Sequence, residues 1–333
     1  MPMKTRALGP FQVSEIGFGC MSLSHAYGAP PDPETGAAVL HRALDLGYTF
    51  LDTAALYGDG ANETLIGRTL KARRDAFTLA SKCGIRLTED GRREIDGRPS
   101  AIRAVCEDSL RRLQVEVIDL YYLHRWDRRT PIEDSVGTLG DLVREGKIRS
   151  VGLSEVGAQT LRRAHREYPI TALQSEYSLW TRNPEIAVLE ACRELGVAFV
   201  AFSPLGRGFL AGAFGADASF PKHDIRASMP RFQGENLAAN LRLLAQFREI
   251  ASDAGCTLAQ LALAWVLARG PHVIPIPGTA RLDHLEENAE AADVTLAPEV
   301  LARLDALFTP EAVRGPRYAA AAQSTVDTEE FPA

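Results

Sequence analysis

The stretch Tyr48-Thr49-Phe50-Leu51-Asp52-Thr53-Ala54-Ala55-Leu56-Tyr57-Gly58 holds the pattern on which the fold turns. A short apolar run stops at a lone carboxylate, and a phenol follows five residues later. The arrangement recurs down the chain. Lys82 follows Phe77-Thr78-Leu79-Ala80, and His124 follows Ile118 to Leu123. Ser154 follows Val151-Gly152-Leu153, and Gln174 follows Ala172-Leu173. Ser203 follows Phe199-Val200-Ala201-Phe202, and Gly278 follows Val273 to Pro277. Short apolar runs separated by helical stretches read as buried parallel strands. A polar residue just past the end of each run is what a barrel with one chemically active rim requires.

Eight such runs lie near 16–18, 48–51, 77–81, 118–123, 148–153, 170–174, 197–202 and 272–276. Helical patterns fall between them. Asp32-Pro33-Glu34 supplies a cap and a first-turn proline for a helix that Gly47 ends. Others are expected over 62–71, 99–113, 132–145, 157–167, 184–195, 236–252, 257–269 and 281–291, with one more near 298–307. This βα alternation predicts an α/β fold, a (β/α)8 TIM barrel forming a single domain over residues 1–333. An N-terminal β-hairpin within 4–16, turning at Gly9-Pro10, precedes it. An open doubly wound sheet is the competing arrangement, but Gly17-Phe18-Gly19-Cys20-Met21-Ser22 lacks the third glycine of a dinucleotide fingerprint. The glycine-bearing stretch 204–235 reads as a functional lid or a disordered loop, and 311–333 as a surface tail.

The chain has 333 residues, enough to bury one large core. A net charge of −6 without a basic cluster argues against nucleic acid as a partner. No apolar run approaches the roughly 20 residues of a membrane span. Met1 to Pro10 has no apolar signal core, and the five cysteines form no CxxC pair. A reduced, cytoplasmic setting is expected. The seven histidines show no metal-ligand spacing, so no metal is expected. Gly152-Leu153-Ser154-Glu155-Val156 lacks the last glycine of a nucleophile elbow.

Asp52, Tyr57, Lys82 and His124 come from neighbouring strand ends, which lie close together on a barrel rim. Together they suit proton donation. A phenol near pKa 10 gives up its proton reluctantly. An ammonium about 4 Å away favours phenolate by roughly 4 kcal/mol at an effective dielectric near 20. Asp52 would hold Lys82 charged, and His124 would orient a substrate oxygen. Taken singly, each has a plainer reading: a structural salt bridge, a surface tyrosine, a rim histidine. Four at successive strand ends favour the chemistry.

These segments resemble the aldo-keto reductase family, in its bacterial and fungal pyridoxal-reductase-like branch. The resemblance rests on Gly17-Phe18-Gly19, Asp52 to Gly58, Ser81-Lys82, Leu123-His124, Gly152-Leu153-Ser154, Gln174-Ser175-Glu176-Tyr177, Phe202 to Gly206, Pro277-Gly278-Thr279 and Glu286-Glu287-Asn288. It implies reduction of an aldehyde or ketone, a small-molecule carbonyl substrate, by hydride from NADPH. The family's catalytic tetrad falls on Asp52, Tyr57, Lys82 and His124. Ser154 and Gln174 match positions that hold the nicotinamide carboxamide, with Gly19, Cys20, Met21, Asp52 and Glu155 beside them. Phe202 sits where a ring stacks on the nicotinamide. Ser203, Pro204, Leu205, Gly206, Arg207 and Gly208 would wrap the pyrophosphate. Gly278, Thr279, Arg281, His284, Glu287 and Asn288 would grip the adenosine and its 2′-phosphate. A helix opening near Arg281 also suits an anion on physical grounds, through its N–H groups and dipole.

Glu155 stands where many relatives have Asn, and Phe202 where many have Tyr or Trp. Met21, Trp126 and Trp180 are candidate walls for the substrate, with rim packing the plainer reading for Trp180. Two rivals stay open: an NADPH-binding regulatory or redox-sensing subunit with slow turnover, and a barrel hydrolase or lyase that needs no nucleotide. Oligomeric state is left open.

Overall fold

The computed structural model describes residues 3–24, 26–88 and 92–331. Strands β1 (Thr5–Leu8) and β2 (Phe11–Ser14) pair as the expected hairpin. The barrel follows: β3 (Phe18–Gly19), helix α1 (Pro33–Asp45), β4 (Phe50–Asp52), α2 (Ala61–Leu70) and β5 (Thr78–Cys83). A second hairpin, β6 (Ile85–Leu87) with β7 (Arg93–Ile95), leaves the rim at this point. Then come α3 (Pro99–Leu113), β8 (Ile118–Leu123), α4 (Ile132–Arg144), β9 (Ile148–Ser154), α5 (Ala158–Glu167) and β10 (Ile170–Glu176). The chain continues through α6 (Val188–Leu195), β11 (Ala198–Phe202), α7 (Gly234–Asp253), α8 (Leu258–Leu267), β12 (Val273–Ile276) and α9 (Leu282–Glu290). Helices α10 (Pro298–Leu307) and α11 (Ala320–Gln323) complete it.

The eight barrel strands run in the order β12-β11-β10-β9-β8-β5-β4-β3, each neighbouring pair parallel. Closure is made by the backbone: Gly17 N–H donates to Pro275 O at 2.9 Å and Gly19 N–H to Pro277 O at 3.1 Å. The architecture is the (β/α)8 barrel expected from the alternation.

Local chemistry sets the element ends. Asp32 caps α1 by accepting from Thr35 N–H at 2.8 Å, with Pro33 at the first helical position. Thr257 and Gln260 form a reciprocal capping box on α8. The barrel interior is packed, not hollow. Phe50, Leu120, Tyr122, Val200 and Ile274 fill it, and Leu8 and Val13 of the hairpin join the same cluster. Gly152 is required there, because a Cβ would lie 2.3 Å from the Tyr122 ring. The closed end leaves the opposite rim as the place for chemistry.

Two stretches gain definition. The stretch 204–235 is packed rather than disordered, and part of it lines the cleft. Phe214, Phe220 and Phe232 pack edge to face, and the Arg226 guanidinium lies 4.9, 4.9 and 4.7 Å from the ring centres of Tyr27, Phe214 and Phe220. The surface tail, whose last two residues lie outside the described residues, is pinned. Asp327 N–H donates to Glu155 O at 2.9 Å, Ala158 N–H donates to Glu329 Oε1 at 2.6 Å, and Arg317 is buried. No single helix among the described residues is long and apolar enough to cross a membrane; α7 and α8 reach that composition only together, across an 83° bend.

Candidate active site

The ends of β4, β5, β8, β9 and β10 deliver Asp52, Lys82, His124, Ser154 and Gln174 to one rim. Lys82 is wholly buried and commits all three ammonium donors. Nζ lies 2.5 Å from Asp52 Oδ1, 2.7 Å from Thr53 O and 3.1 Å from Tyr57 Oη. Asp52 is completed by Gln174 Nε2, which donates to Oδ2 at 2.7 Å. The rings of Tyr57 and His124 stand edge to face with centres 5.9 Å apart.

The electrostatics follow from burial. Desolvation pushes the Asp52 carboxyl up, while Lys82 and Gln174 pull it back. Burial alone would lower Lys82, yet Asp52 and Tyr57 outweigh it and the ammonium is held above its ordinary value. Tyr57 differs from the simple expectation. Desolvation raises it, Lys82 opposes that without overcoming it, and Asp52 adds to the rise. The resting group is therefore a phenol, and the Lys82 charge acts mainly on the phenolate formed when the proton leaves. Burial, then Lys82, Arg125 and Arg93, hold the His124 imidazole well below its usual value, so it is neutral at pH 7.

These groups open into a cleft of ≈ 1510 Å³, above the roughly 1,000 Å³ upper range of sites for drug-sized ligands. Of the residues expected at the cofactor, Gly19, Met21, Asp52, Ser154, Gln174, Phe202, Ser203, Pro204, Leu205, Arg207, Gly208, Gly278, Thr279, Arg281, His284, Glu287 and Asn288 line it. Two features distinguish the Gly278–Asn288 end. Asn288 is buried, yet its Oδ1 has no hydrogen-bond partner. The backbones of Gly19 and Gly278 approach so closely that a Cβ on Gly278 would sit 2.6 Å from Gly19 O.

Several expected contacts are corrected. Cys20 begins a short 3-10 turn over Cys20–Leu23 that rotates its thiol into the core and leaves Met21 on the cleft. Gly206 is buried beside Trp180. Glu155 faces away from the cleft; its carboxylate binds Arg317 at 2.6 and 3.0 Å and accepts Glu176 N–H at 2.9 Å. Arg207 reaches the cleft, but its guanidinium is already neutralised by Glu176 at 2.7 Å, with Tyr318 Oη at 3.1 Å. Trp180 stacks on Phe209 at 4.1 Å and is rim packing, whereas Met21 and Trp126 line the cleft.

The sequence reading missed Arg125, whose Nη1 donates to His124 O at 2.7 Å and Ser154 Oγ at 3.2 Å. It sits beside His124 in the chain, but adjacency gave no sign that its side chain turns inward. Thr53 was missed because it acts through its carbonyl.

The aldo/keto reductase family model matches residues 15–308. The chain belongs to the aldo-keto reductase family. It is 44% identical over 318 residues to "Probable aldo-keto reductase 1" of Glycine max, covering 95% of this reductase and 91% of that protein. Among solved structures it is similar to the glycerol dehydrogenase AKR11B4 from Gluconobacter oxydans. That match has TM-score 0.85 and 30% identity, over 92% of this chain and 95% of that one. It is also similar to an aldo/keto reductase from Klebsiella pneumoniae solved in complex with NADP and acetate, with TM-score 0.71 and 30% identity. There the match covers 95% and 99% of the two chains.

Proposed function

We propose that this reductase reduces an aldehyde or ketone to an alcohol with NADPH, Tyr57 acting as proton donor. The observation that carries the reading is the direction of one hydrogen bond. A charged ammonium has no lone pair, so Tyr57 Oη accepts from Lys82. The phenol hydrogen must then point elsewhere, into the cleft beside His124. A carbonyl oxygen placed between the two rings receives a hydrogen bond from Tyr57 and one from the neutral imidazole. As negative charge grows on that oxygen, the Tyr57 proton crosses to it. The phenolate left behind is stabilised by Lys82, and solvent returns its proton.

NADPH supplies the hydride when bound. Ser154 and Phe202 are the groups we assign to its nicotinamide end, and Thr279, Arg281 and Asn288 to its adenosine end. The orphaned Asn288 oxygen supports that fit. Gln174, by contrast, uses its amide nitrogen on Asp52, so in our reading it steadies the carboxylate first.

The test is steady-state loss of NADPH absorbance with a panel of aldehydes and ketones. Turnover with at least some of them is expected. Tight NADPH binding without turnover on any would favour a regulatory subunit, and indifference to NADPH would remove the cofactor as well.

A further inference from the structure

The barrel interior holds a phenol that the chemistry above does not use. Tyr122, on β8, is wholly buried in the cluster with Phe50, Ala80, Leu120 and Ile274, and its Oη meets no hydrogen-bond partner. Its register partner on β9 is Gly152, where a Cβ would sit 2.3 Å from the ring. A phenylalanine would fill the same space without stranding a hydroxyl, which is costly in a buried position. Its register partner on β5 is Lys82, whose Nζ lies 6.0 Å from the ring centre. Burial raises the phenol well above its ordinary value, and the charge of Asp52 raises it further, so the hydroxyl keeps its hydrogen and feels that charge. Gln174 opposes the rise, at a geometry that falls short of a hydrogen bond.

Asp52 has a use for another donor. In the resting site one ammonium serves both Asp52 Oδ1, at 2.5 Å, and Tyr57 Oη, at 3.1 Å. When the proton leaves Tyr57 for the substrate oxygen, the phenolate becomes a second anion beside the same cation. Lys82 is drawn toward it, and its hold on Asp52 weakens. The buried carboxylate keeps Gln174 on Oδ2 but loses part of its donor on Oδ1.

We propose that Tyr122 is a positioning residue whose hydroxyl donates to Asp52 once Tyr57 is a phenolate, replacing what Lys82 gives up. The inference rests on the reading of Tyr57 as proton donor. It gives the orphaned hydroxyl a partner in the state that turnover creates and none in the resting one, and only such a difference lowers a barrier. Tyr122 does not line the cleft, so it acts through Asp52.

The experiment is Tyr122→Phe, read in the direction of alcohol oxidation with NADP+, using the alcohol made from the best aldehyde of the panel. In that direction Tyr57 must be ionised to accept a proton, so the rate rises with pH as the phenol ionises. In the variant the inflection should move up by about one pH unit, the scale of one hydrogen bond to a charged group. KM for the alcohol should change by less than about twofold. The melting temperature of the ligand-free protein should hold or rise, because only an unpartnered hydroxyl is lost. In an Asp52→Asn background, where turnover is already low, adding Tyr122→Phe should lower it no further. An unshifted inflection overturns the proposal, and a lower melting temperature alongside it assigns the hydroxyl to the resting fold. Full additivity of the two substitutions overturns it as well, since Tyr122 would then not act through Asp52. Each of these results leaves the reductase reading intact. Absence of NADP-linked turnover in either direction in the unmodified enzyme would sink that reading and this inference with it.

Discussion

Two buried ion pairs stand on the same rim, and they do different things. Lys82 and Asp52 lie at the ends of adjacent strands, 30 residues apart in the chain. Arg317 and Glu155 are 162 residues apart, and neither side chain faces the cleft. The first pair leaves an ammonium against the phenol of Tyr57 and so acts on a proton. The second consumes both charges in holding the C-terminal segment to the end of β9. Glu155 also adopts φ +56°, a backbone region that side chains avoid. Arg317 and the Glu176 N–H fix it there. Burial and geometry look alike in the two pairs; what separates them is whether a third, transferable group touches the cation.

The largest effect is expected from Lys82→Met. It strands the Asp52 carboxylate, which should cost about 3–5 kcal/mol of stability, and it removes the charge that receives the phenolate. Denaturant unfolding and NADPH-linked turnover should both fall. Adding Asp52→Leu should return much of the stability and none of the turnover. A stable, active Lys82→Met enzyme would break the distinction at its root. Tyr57→Phe should come next. It keeps the ion pair and removes only the transferable proton, so turnover should fall at least about a hundredfold while NADPH affinity, read by tryptophan fluorescence, is unchanged.

Arg317→Met is the counterpart at the other pair. It leaves Glu155 buried and unpaired, so it should lower stability by about 3 kcal/mol and expose residues 311–331 to limited proteolysis. Because Tyr318 and Val326 line the cleft, KM should rise. The turnover number should stay within about threefold, since no proton is routed through this pair. A hundredfold loss of turnover would show that the two pairs are not separable.

The contrast also explains what could be read from the chain. The barrel was legible because its strands are buried on both faces and its helices carry caps such as Asp32 and Thr257. The β6–β7 hairpin was not, because Ile85-Arg86-Leu87 and Arg93-Glu94-Ile95 are too short and too polar to show a period. Asp52, Lys82 and His124 were legible because a strand end fixes each one locally, and neighbouring strands fix their distances. Glu155 also sits at a strand end, yet its role was misread. Its partner arrives from a segment whose path no local pattern specifies. Cys20 failed for a smaller reason: one 3-10 turn exchanges the directions of Cys20 and Met21.

A third pair sharpens the comparison from the opposite extreme. Arg281 and Asp283 are both exposed, joined by Nη2 to Oδ2 at 2.5 Å at the start of α9. An exposed pair contributes little to stability and is easily exchanged for another partner. If Arg281 meets the 2′-phosphate of NADPH, it must leave Asp283 to do so. Arg281→Ala should therefore weaken NADPH roughly tenfold, the scale of one hydrogen bond to a charged group, while NADH binding and melting temperature hold. Asp283→Asn should act in the other direction, tightening NADPH by about twofold to threefold, because the competing carboxylate charge is gone. Equal weakening of NADPH and NADH by Arg281→Ala would place Arg281 with the structural pairs, and the anion site at the start of α9 would have to be sought in its backbone N–H groups alone.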